Sequence, residues 1–293
     1  MNLPRVICFG EVLWDLLPTG KLPGGAPMNV AYHLTNFGVS TQMISRVGED
    51  VHGNELTQFL KEKTVDISLV QKDAFYPTGI VNVELDDRGS PSYEIVKPVA
   101  WDYINVNIDN SKAVKNAEAF VFGSLAARCN RTKESLRSFL EMAKLKVFDV
   151  NLRAPFYSKE LIEALLFQSD IVKMNDEELD LIGSWFFKTD TSFDLAKKIK
   201  KHFEIDVLIV TQGSKGAFVI DKKEKITSVA AKKIIVEDTI GSGDSFLAGF
   251  LYHYLNYEPI IVCLDFAART GALVATMRGG TPKISEDMVV GLS

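Results

Sequence analysis

Cysteine and histidine are scarce, with three Cys (Cys8, Cys129 and Cys263) and four His in 293 residues. The three thiols are far apart, odd in number and set in apolar surroundings. That excludes a disulfide framework or a Cys/His zinc site and fits buried free thiols in a reducing cytosol. Positive charge is not in excess either: 33 Lys and Arg face 38 Asp and Glu, a formal net charge of −5. A nucleic-acid binder usually carries a basic stripe; the densest basic cluster here, Lys197, Lys198, Lys200 and Lys201, reads as the solvated face of a helix. No apolar run approaches the length of a membrane span. The start, Met1-Asn2-Leu3-Pro4-Arg5, runs into a strand without the basic-then-apolar pattern of a signal segment. The expectation is a soluble cytoplasmic protein with no nucleic-acid and no membrane partner.

Hydrophobic residues make up 46% and charged residues 24%, enough for a substantial globular core. Val6-Ile7-Cys8-Phe9-Gly10 is a continuous apolar run ending at glycine, as expected of a strand buried on both faces. Thr41 to Gly48 and Val51 to Lys63 read as strand and helix. From Ala117 onward strands (119–123, 146–151, 170–174, 206–211, 216–221) alternate with helices (132–143, 158–166, 176–182, 193–203). Such alternation predicts an α/β fold, a mostly parallel sheet flanked by helices. Residues 76–93 differ: Thr78 to Leu85 alternates apolar and polar residues, Asp86-Asp87-Arg88-Gly89 turns, and Ser92 to Val96 returns. This is a hairpin with one wet face. It is better read as an insertion than as a separate domain.

The most informative stretch is Val236 to Phe250. It enters from a β-branched run, Ile234-Ile235-Val236, that reads as a strand, and leaves into Phe246, Leu247, Phe250, Leu251 and Tyr254 at helical spacing. Between them Gly241-Ser242-Gly243 can aim backbone N–H groups at one point, backed by the positive end of the helix, which makes an anion site suited to phosphate. Asp244 lies in the first turn. A carboxylate beside phosphate repels it, unless the reaction needs a base for an attacking hydroxyl. Asp244 as a plain helix cap stands as an equal reading from the residues alone. The loop matches neither G-x-x-x-x-G-K-[ST] nor the dinucleotide pattern, since Phe246 occupies the third glycine's place.

Other polar residues fall where open α/β sheets bind ligands, beyond strand C-termini. Glu11 and Asp15 follow the first strand, then a Pro/Gly-rich loop reaches Gly24-Gly25 and a helix with Pro27 at its start. Asn29, one turn inside, offers a donor and an acceptor to a sugar hydroxyl; Asp15 as a loop residue and Asn29 as a helix-surface residue are the bland alternatives. Arg153, in Asp149-Val150-Asn151-Leu152-Arg153, suits a phosphate in transfer or a structural pair with Asp149. Asn175 and Glu178 can form a capping box. Thr211-Gln212-Gly213-Ser214-Lys215-Gly216 is first of all a hairpin connection. Ala267, Ala268, Gly271, Ala272 and Ala275 form a small-residue helix face suited to close packing, with Gly279 in the loop beyond it.

Asp238-Thr239-x-Gly241-x-Gly243-Asp244 resembles the C-terminal signature of the ribokinase-like (PfkB) carbohydrate kinases, and Gly24-Gly25-Ala26-Pro27-x-Asn29-Val30-Ala31 resembles their N-terminal signature, in its fructokinase form. Asp149-x-Asn151-x-Arg153, Asn175-x-x-Glu178, Thr211-x-Gly213-x-x-Gly216 and Ala100-Trp101-Asp102 are similar to weaker family elements, in the family's order across the chain. The resemblance implies a ribokinase-like three-layer sandwich over residues 1–293, with β-lid segments at about 12–24 and 76–101. It implies ATP-dependent phosphorylation of a sugar, with fructose first and ketodeoxygluconate, ribose or a nucleoside as alternatives. A ketodeoxygluconate carboxylate would want a lid cation, for which Lys97 and Arg88 are the candidates; a silent sugar- or nucleotide-binding protein is the reading from another class.

By the same resemblance Asp244 is the base, Gly241, Ser242, Gly243 and Arg153 stabilise the transferring group, and Asp15, Gly24, Gly25 and Asn29 hold the sugar. Asn175, Thr211, Gly213 and Gly216 would line the ATP site. Glu178 would act on Mg²⁺ through water and Asp238 on a monovalent cation such as K⁺. Adenine against the small-residue face and a homodimer through the lid complete what the resemblance implies.

Overall fold

The computed structural model describes residues 5–18, 20–85, 91–188 and 191–292. The turn at Asp86 to Gly89, with the Arg88 candidate, and Met1 to Pro4 lie outside the described residues.

The chain opens with β1 (Arg5–Phe9), a hairpin of β2 (Leu13–Leu17) and β3 (Gly20–Gly24), α1 (Ala26–Asn36), β4 (Ser40–Gly48), α2 (Val51–Glu62) and β5 (Val70–Asp73). A second hairpin, β6 (Gly79–Leu85) and β7 (Pro91–Ile95), leads to α3 (Ile108–Asn116), β8 (Ala119–Gly123), α4 (Asn130–Leu140) and β9 (Lys146–Asp149). Then come α5 (Lys159–Leu166), β10 (Ile171–Asn175), α6 (Asp176–Phe186), α7 (Ser192–His202), β11 (Val207–Thr211), β12 (Ala217–Ile220) and β13 (Ile226–Val229). The chain ends in α8 (Ser242–Tyr254), α9 (Ile260–Ala275) and α10 (Glu286–Gly291).

Nine strands form one sheet in the order β13-β12-β11-β10-β9-β8-β1-β4-β5, parallel from β11 through β5, with β12 and β13 antiparallel at one edge. The alternation in β1 sorts the two faces. Ile7 and Phe9 join Phe120, Phe122, Phe148 and Phe218 against α4 to α7. Val6 and Cys8 join Ala119, Val121, Val147 and Ala217 against α1, α8 and α9. Large rings fill one layer, including Phe122 and Phe148 stacked at 5.0 Å. The other face is built of smaller residues, over which α8 and α9 pack closely: a Cβ on Gly249 would stand 2.7 Å from Thr270 Oγ1, and one on Gly271 would stand 3.0 Å from Ser242 O. The small-residue face of α9 is thus a packing surface for α8.

β1 lies inside the sheet, third from one edge; the chain adds β4 and β5 on that side of it and then crosses to the other at β8. This reversal leaves a crevice at the strand C-termini, the position where open α/β sheets bind ligands. Over that edge lies a second, four-stranded sheet, β3-β2-β6-β7. Asp50 anchors it: the side chain caps α2 at Gly53 N (2.7 Å) and also accepts from Thr78 N (2.8 Å) and Thr78 Oγ1 (2.7 Å) just before β6.

Two expectations are corrected. Ile234-Ile235-Val236 is not a strand, and Ile235 and Val236 are 91% and 56% exposed. β-branched residues favour an extended chain, but here the segment has left the sheet and pairs instead with the end of α9, through Glu237 N to Ala275 O at 2.9 Å. The Pro/Gly-rich stretch before Gly24, a loop by its residues though a β-lid segment by resemblance, is a strand: it makes β3, with Asp15 paired to Leu22. β13 had no counterpart among the sequence expectations. Trp101 is a packing residue, fully buried with the Arg128 guanidinium 3.7 Å from its ring centre.

Asp50→Ala is expected to lower stability by about 1–2 kcal/mol, the usual cost of losing an N-cap. Urea denaturation measures it, with no change expected for the exposed control Glu62→Ala.

Candidate active site

α8 begins at Gly241, which adopts a left-handed conformation (φ 73°). Any Cβ there would stand 2.4 Å from Gly280 Cα, and one on Gly280 would stand 2.7 Å from Asn29 Nδ2. Three segments far apart in sequence therefore meet here, Gly241 against Gly280 by backbone and Asn29 against Gly280 by its side chain. In the same place Asn29 Nδ2 donates to Asp244 Oδ2 at 2.7 Å, joining α1 to the first turn of α8. His33, one turn further along α1, is buried with Nε2 2.9 Å from Gly280 O. Burial pushes its pKa down to about 4, so it is neutral and donates to that carbonyl. The opposite side of the Gly279-Gly280 loop is held by Asp238, whose Oδ1 accepts from Ile240 N (3.0 Å) and Oδ2 from Gly279 N (2.9 Å).

Asp244 faces a charged floor. Lys173, on β10, reaches both carboxylate oxygens of Asp149 at the end of β9, at 2.9 and 3.1 Å. Its Nζ lies so close beneath the loop that a Cβ on Gly243 would stand 2.9 Å away. Burial works against the ammonium, but Asp149, Asp244 and Glu178 outweigh it and hold the Lys173 pKa above the ordinary lysine value. Burial also pushes Asp244 up to about 6, helped by Asp149 and opposed by Lys173, Asn29 and Arg153.

A second group of site residues lies toward β1 and the small sheet. Asp15 sits on β2 directly against Gly24, where a Cβ would stand 2.5 Å from its Oδ2. Gly25, at φ 117°, passes so close to Glu11 that a Cβ would stand 2.4 Å from its carbonyl oxygen. Burial raises Asp15 to about 6, with the Arg153 charge pulling the other way. Arg153 itself is exposed, and its Nη1 is 3.4 Å from Leu152 O. Its charge reaches Glu11, Asp15 and Asp244. The alternative Asp149–Arg153 pair is not what forms, because Lys173 takes Asp149.

Asn175 and Glu178 make the capping box: Asn175 Oδ1 accepts from Glu178 N (2.8 Å) and Glu178 Oε2 from Asn175 N (2.9 Å), while Glu178 Oε1 accepts from Leu152 N (2.8 Å). Each Glu178 oxygen already holds a backbone N–H, so water is the fitting go-between to any cation. Thr211, Gly213 and Gly216 stand apart from the Gly241 loop in the sequence but share its sheet edge, at the C-terminus of β11. A Cβ on Gly216 would stand 2.0 Å from Val229 O, so the turn requires glycine there. The sequence reading passed over Lys173, His33 and Gly280; Lys173 could have been noticed as a lysine inside a buried strand, whereas His33 and Gly280 gave no such signal.

Residues 9–287 match the pfkB family carbohydrate kinases. The chain belongs to that family. It is 30% identical to the fructokinase of Escherichia coli over 298 residues, covering 94% of each chain. Its structure superposes on that of Vibrio cholerae fructokinase bound to fructose, ADP and calcium with a TM-score of 0.85, at 25% identity, covering 100% of this chain and 99% of that one. A double mutant of the Vibrio enzyme, with fructose, ADP and potassium bound, gives the same score over 99% and 98% of the two chains, also at 25% identity. A Pyrococcus horikoshii sugar kinase in complex with ATP matches at 0.83, with 27% identity over 98% of this chain and 100% of the other.

Lys173→Met would strand the buried Asp149 carboxylate and is expected to cost about 3–5 kcal/mol by thermal unfolding. Adding Asp149→Asn should recover most of that loss, because the pair is then removed together.

Proposed function

We propose that this protein is an ATP-dependent fructokinase. The observation that carries the reading is a carboxylate, Asp244, set in the first turn behind a Gly-Ser-Gly anion loop and bonded across the site to Asn29. A pure phosphate clamp has no use for that carboxylate; phosphoryl transfer to a hydroxyl does. The fructokinase form of the Gly24 to Ala31 segment and the fructokinase relatives support fructose as the acceptor.

In this reading Asp15, Gly24, Gly25 and Asn29 hold the sugar and Asp244 takes the proton of the attacking hydroxyl. That oxygen bonds to the γ-phosphorus as the bond to the β–γ bridging oxygen breaks, and ADP departs. The amides of Gly241 and Gly243, with Arg153 beside them, face the negative charge that the transferring group carries; the Ser242 N–H, expected to join them, instead donates to Thr239 O at 3.2 Å and holds the loop in shape. Lys173 and Asp149 fix the floor of this loop. The nucleotide would extend along the sheet edge toward Asn175, Thr211, Gly213 and Gly216, with adenine near the α9 face. Mg²⁺ would arrive with the nucleotide phosphates, reached by Glu178 through water, and would offset phosphate charge. The loop pinned between Asp238 and Gly279 suits a monovalent cation, in keeping with the potassium-bound Vibrio structure.

The small sheet would act as a lid on one catalytic unit spanning the chain, excluding water from the reaction. The half-exposed residues of β2 and β3 support a homodimer through that sheet. Three free cysteines, Cys8 and Cys263 buried among them, support a reducing, cytoplasmic setting. Among the described residues no helix is long and apolar enough to cross a membrane. Lys97, the candidate for a carboxylate-bearing sugar, stands 5.1 Å over the Phe156 ring.

ADP release from Mg·ATP with fructose, ribose, ketodeoxygluconate, glucose and adenosine tests the reading. Fructose should give the highest kcat/KM, and Asp244→Asn should lower kcat by about 10²–10⁴-fold with the ATP KM little changed. Preference for another acceptor would overturn the fructose assignment. The base must be ionised to act and its pKa is raised to about 6, so kcat/KM for the sugar should fall as pH drops through that value. A flat profile down to about pH 5 would contradict Asp244 as the base.

A further inference from the structure

Glu11 is a buried carboxyl at the mouth of the site with no part in the reaction as described above. It follows β1 directly, and only 2% of it is exposed. Oε1 accepts from the backbone N–H of Ala26 at 3.3 Å, the first residue of α1 after the Gly24-Gly25 turn. Its main-chain oxygen is the atom against which Gly25 packs. Glu11 thus supports that turn from beneath by side chain and backbone together. Its other oxygen, Oε2, is buried without a partner.

An ionised carboxylate in that position would be half-paired and dry, which is costly. The charges facing it are Asp244 from α8 and Arg153 from the segment after β9, of opposite sign. Burial dominates, and the Asp244 charge adds to it; together with smaller opposing contributions from backbone N–H groups and Arg153 they leave the pKa at about 7. Asp15, on the neighbouring strand, also lies within reach of Arg153.

We propose that Glu11 is a positioning residue of the acceptor site, holding the Gly24-Gly25 turn in its sugar-binding shape through the amide of Ala26. The inference rests on the reading of that turn as part of the sugar site. Losing the Ala26 contact loosens the turn and the start of α1, and with it the placement of Asn29. Ionisation of Glu11 adds a second negative charge behind the turn, beside Asp244. Both changes weaken sugar binding and leave the nucleotide end, several strands away, untouched.

The test compares the wild-type protein, Glu11→Gln and Glu11→Leu by KM for fructose and for Mg·ATP between roughly pH 5.5 and 8.5. Gln keeps the acceptor for Ala26 and cannot ionise. It should keep the fructose KM within about threefold of wild type near pH 6 and lack the rise in fructose KM that wild type shows above about pH 7. Leu removes the acceptor and should raise the fructose KM about tenfold or more, with the ATP KM unchanged. An unchanged fructose KM in the Leu variant, or both KM values rising together with a lowered Tm, would overturn the proposal. If the Leu variant does not fold, the Gln profile decides: a rise above pH 7 matching wild type overturns it. A wild-type protein that ignores fructose fails the acceptor assignment instead, and the same comparison is then read from the KM of the sugar it does phosphorylate.

Discussion

The hydrogen bond from Asn29 to Asp244 joins residues 215 positions apart, and the site exists because those two ends of the chain meet. Their meeting is a steric matter before it is a polar one. Gly241 and Gly280 lie Cα against Cα, and Asn29 lies against Gly280, so a single methyl group at either glycine would push α1 and α8 apart. His33 and Asp238 then pin the Gly279-Gly280 loop from its two sides. Small residues on one face of the sheet let α8 and α9 settle low enough for this contact, while the phenylalanine layer on the other face fixes the strands beneath.

The electrostatics follow from the same closeness. Asp149, Asp244, Glu11 and Asp15 gather around a crevice that must also accept phosphate. Lys173 neutralises Asp149 directly and Arg153 acts at longer range. The remaining carboxyls answer by shifting upward in pKa, which places Asp244 and Asp15 near 6 and Glu11 near 7. A site crowded with acids can thus receive a polyphosphate because its acids are paired, protonated or poised to change charge. In the proposed reading, the order of parts along the sheet edge, small sheet and β1 at one end and β11 at the other, separates the acceptor side from the nucleotide side.

Much of the fold was legible in the sequence because the strands are buried on both faces and read as continuous apolar runs, with helices at regular spacing between them. The ends of the fold were harder to read. Ile234-Ile235-Val236 has strand-forming residues but no neighbouring strand, a fact of topology that no local pattern carries. The pairing of β2 with β3 was hidden from the residue pattern, where Pro and Gly read as a loop; only the resemblance, with its β-lid segment at about 12–24, pointed to it. Near the candidate site, features set within one segment were legible as local structure: the Gly241 turn into α8, the Asn175–Glu178 cap and the Gly24-Gly25 turn into α1. Partnerships across segments were not. Lys173 and Arg153 compete for Asp149, and only the spacing between β9 and β10 decides for Lys173. Gly280 matters through what it touches on two other segments, and Glu11 through a contact with Ala26 fifteen residues on.

The most direct measurement is the structure of this protein with fructose and a non-hydrolysable ATP analogue bound together. The account predicts one sugar hydroxyl within about 2.6–3.2 Å of an Asp244 oxygen, with Asn29 on the same sugar and the γ-phosphate against the amides of Gly241 and Gly243. A sugar held away from Asp244, or a γ-phosphate lodged at the Thr211 to Gly216 turn instead, would contradict it.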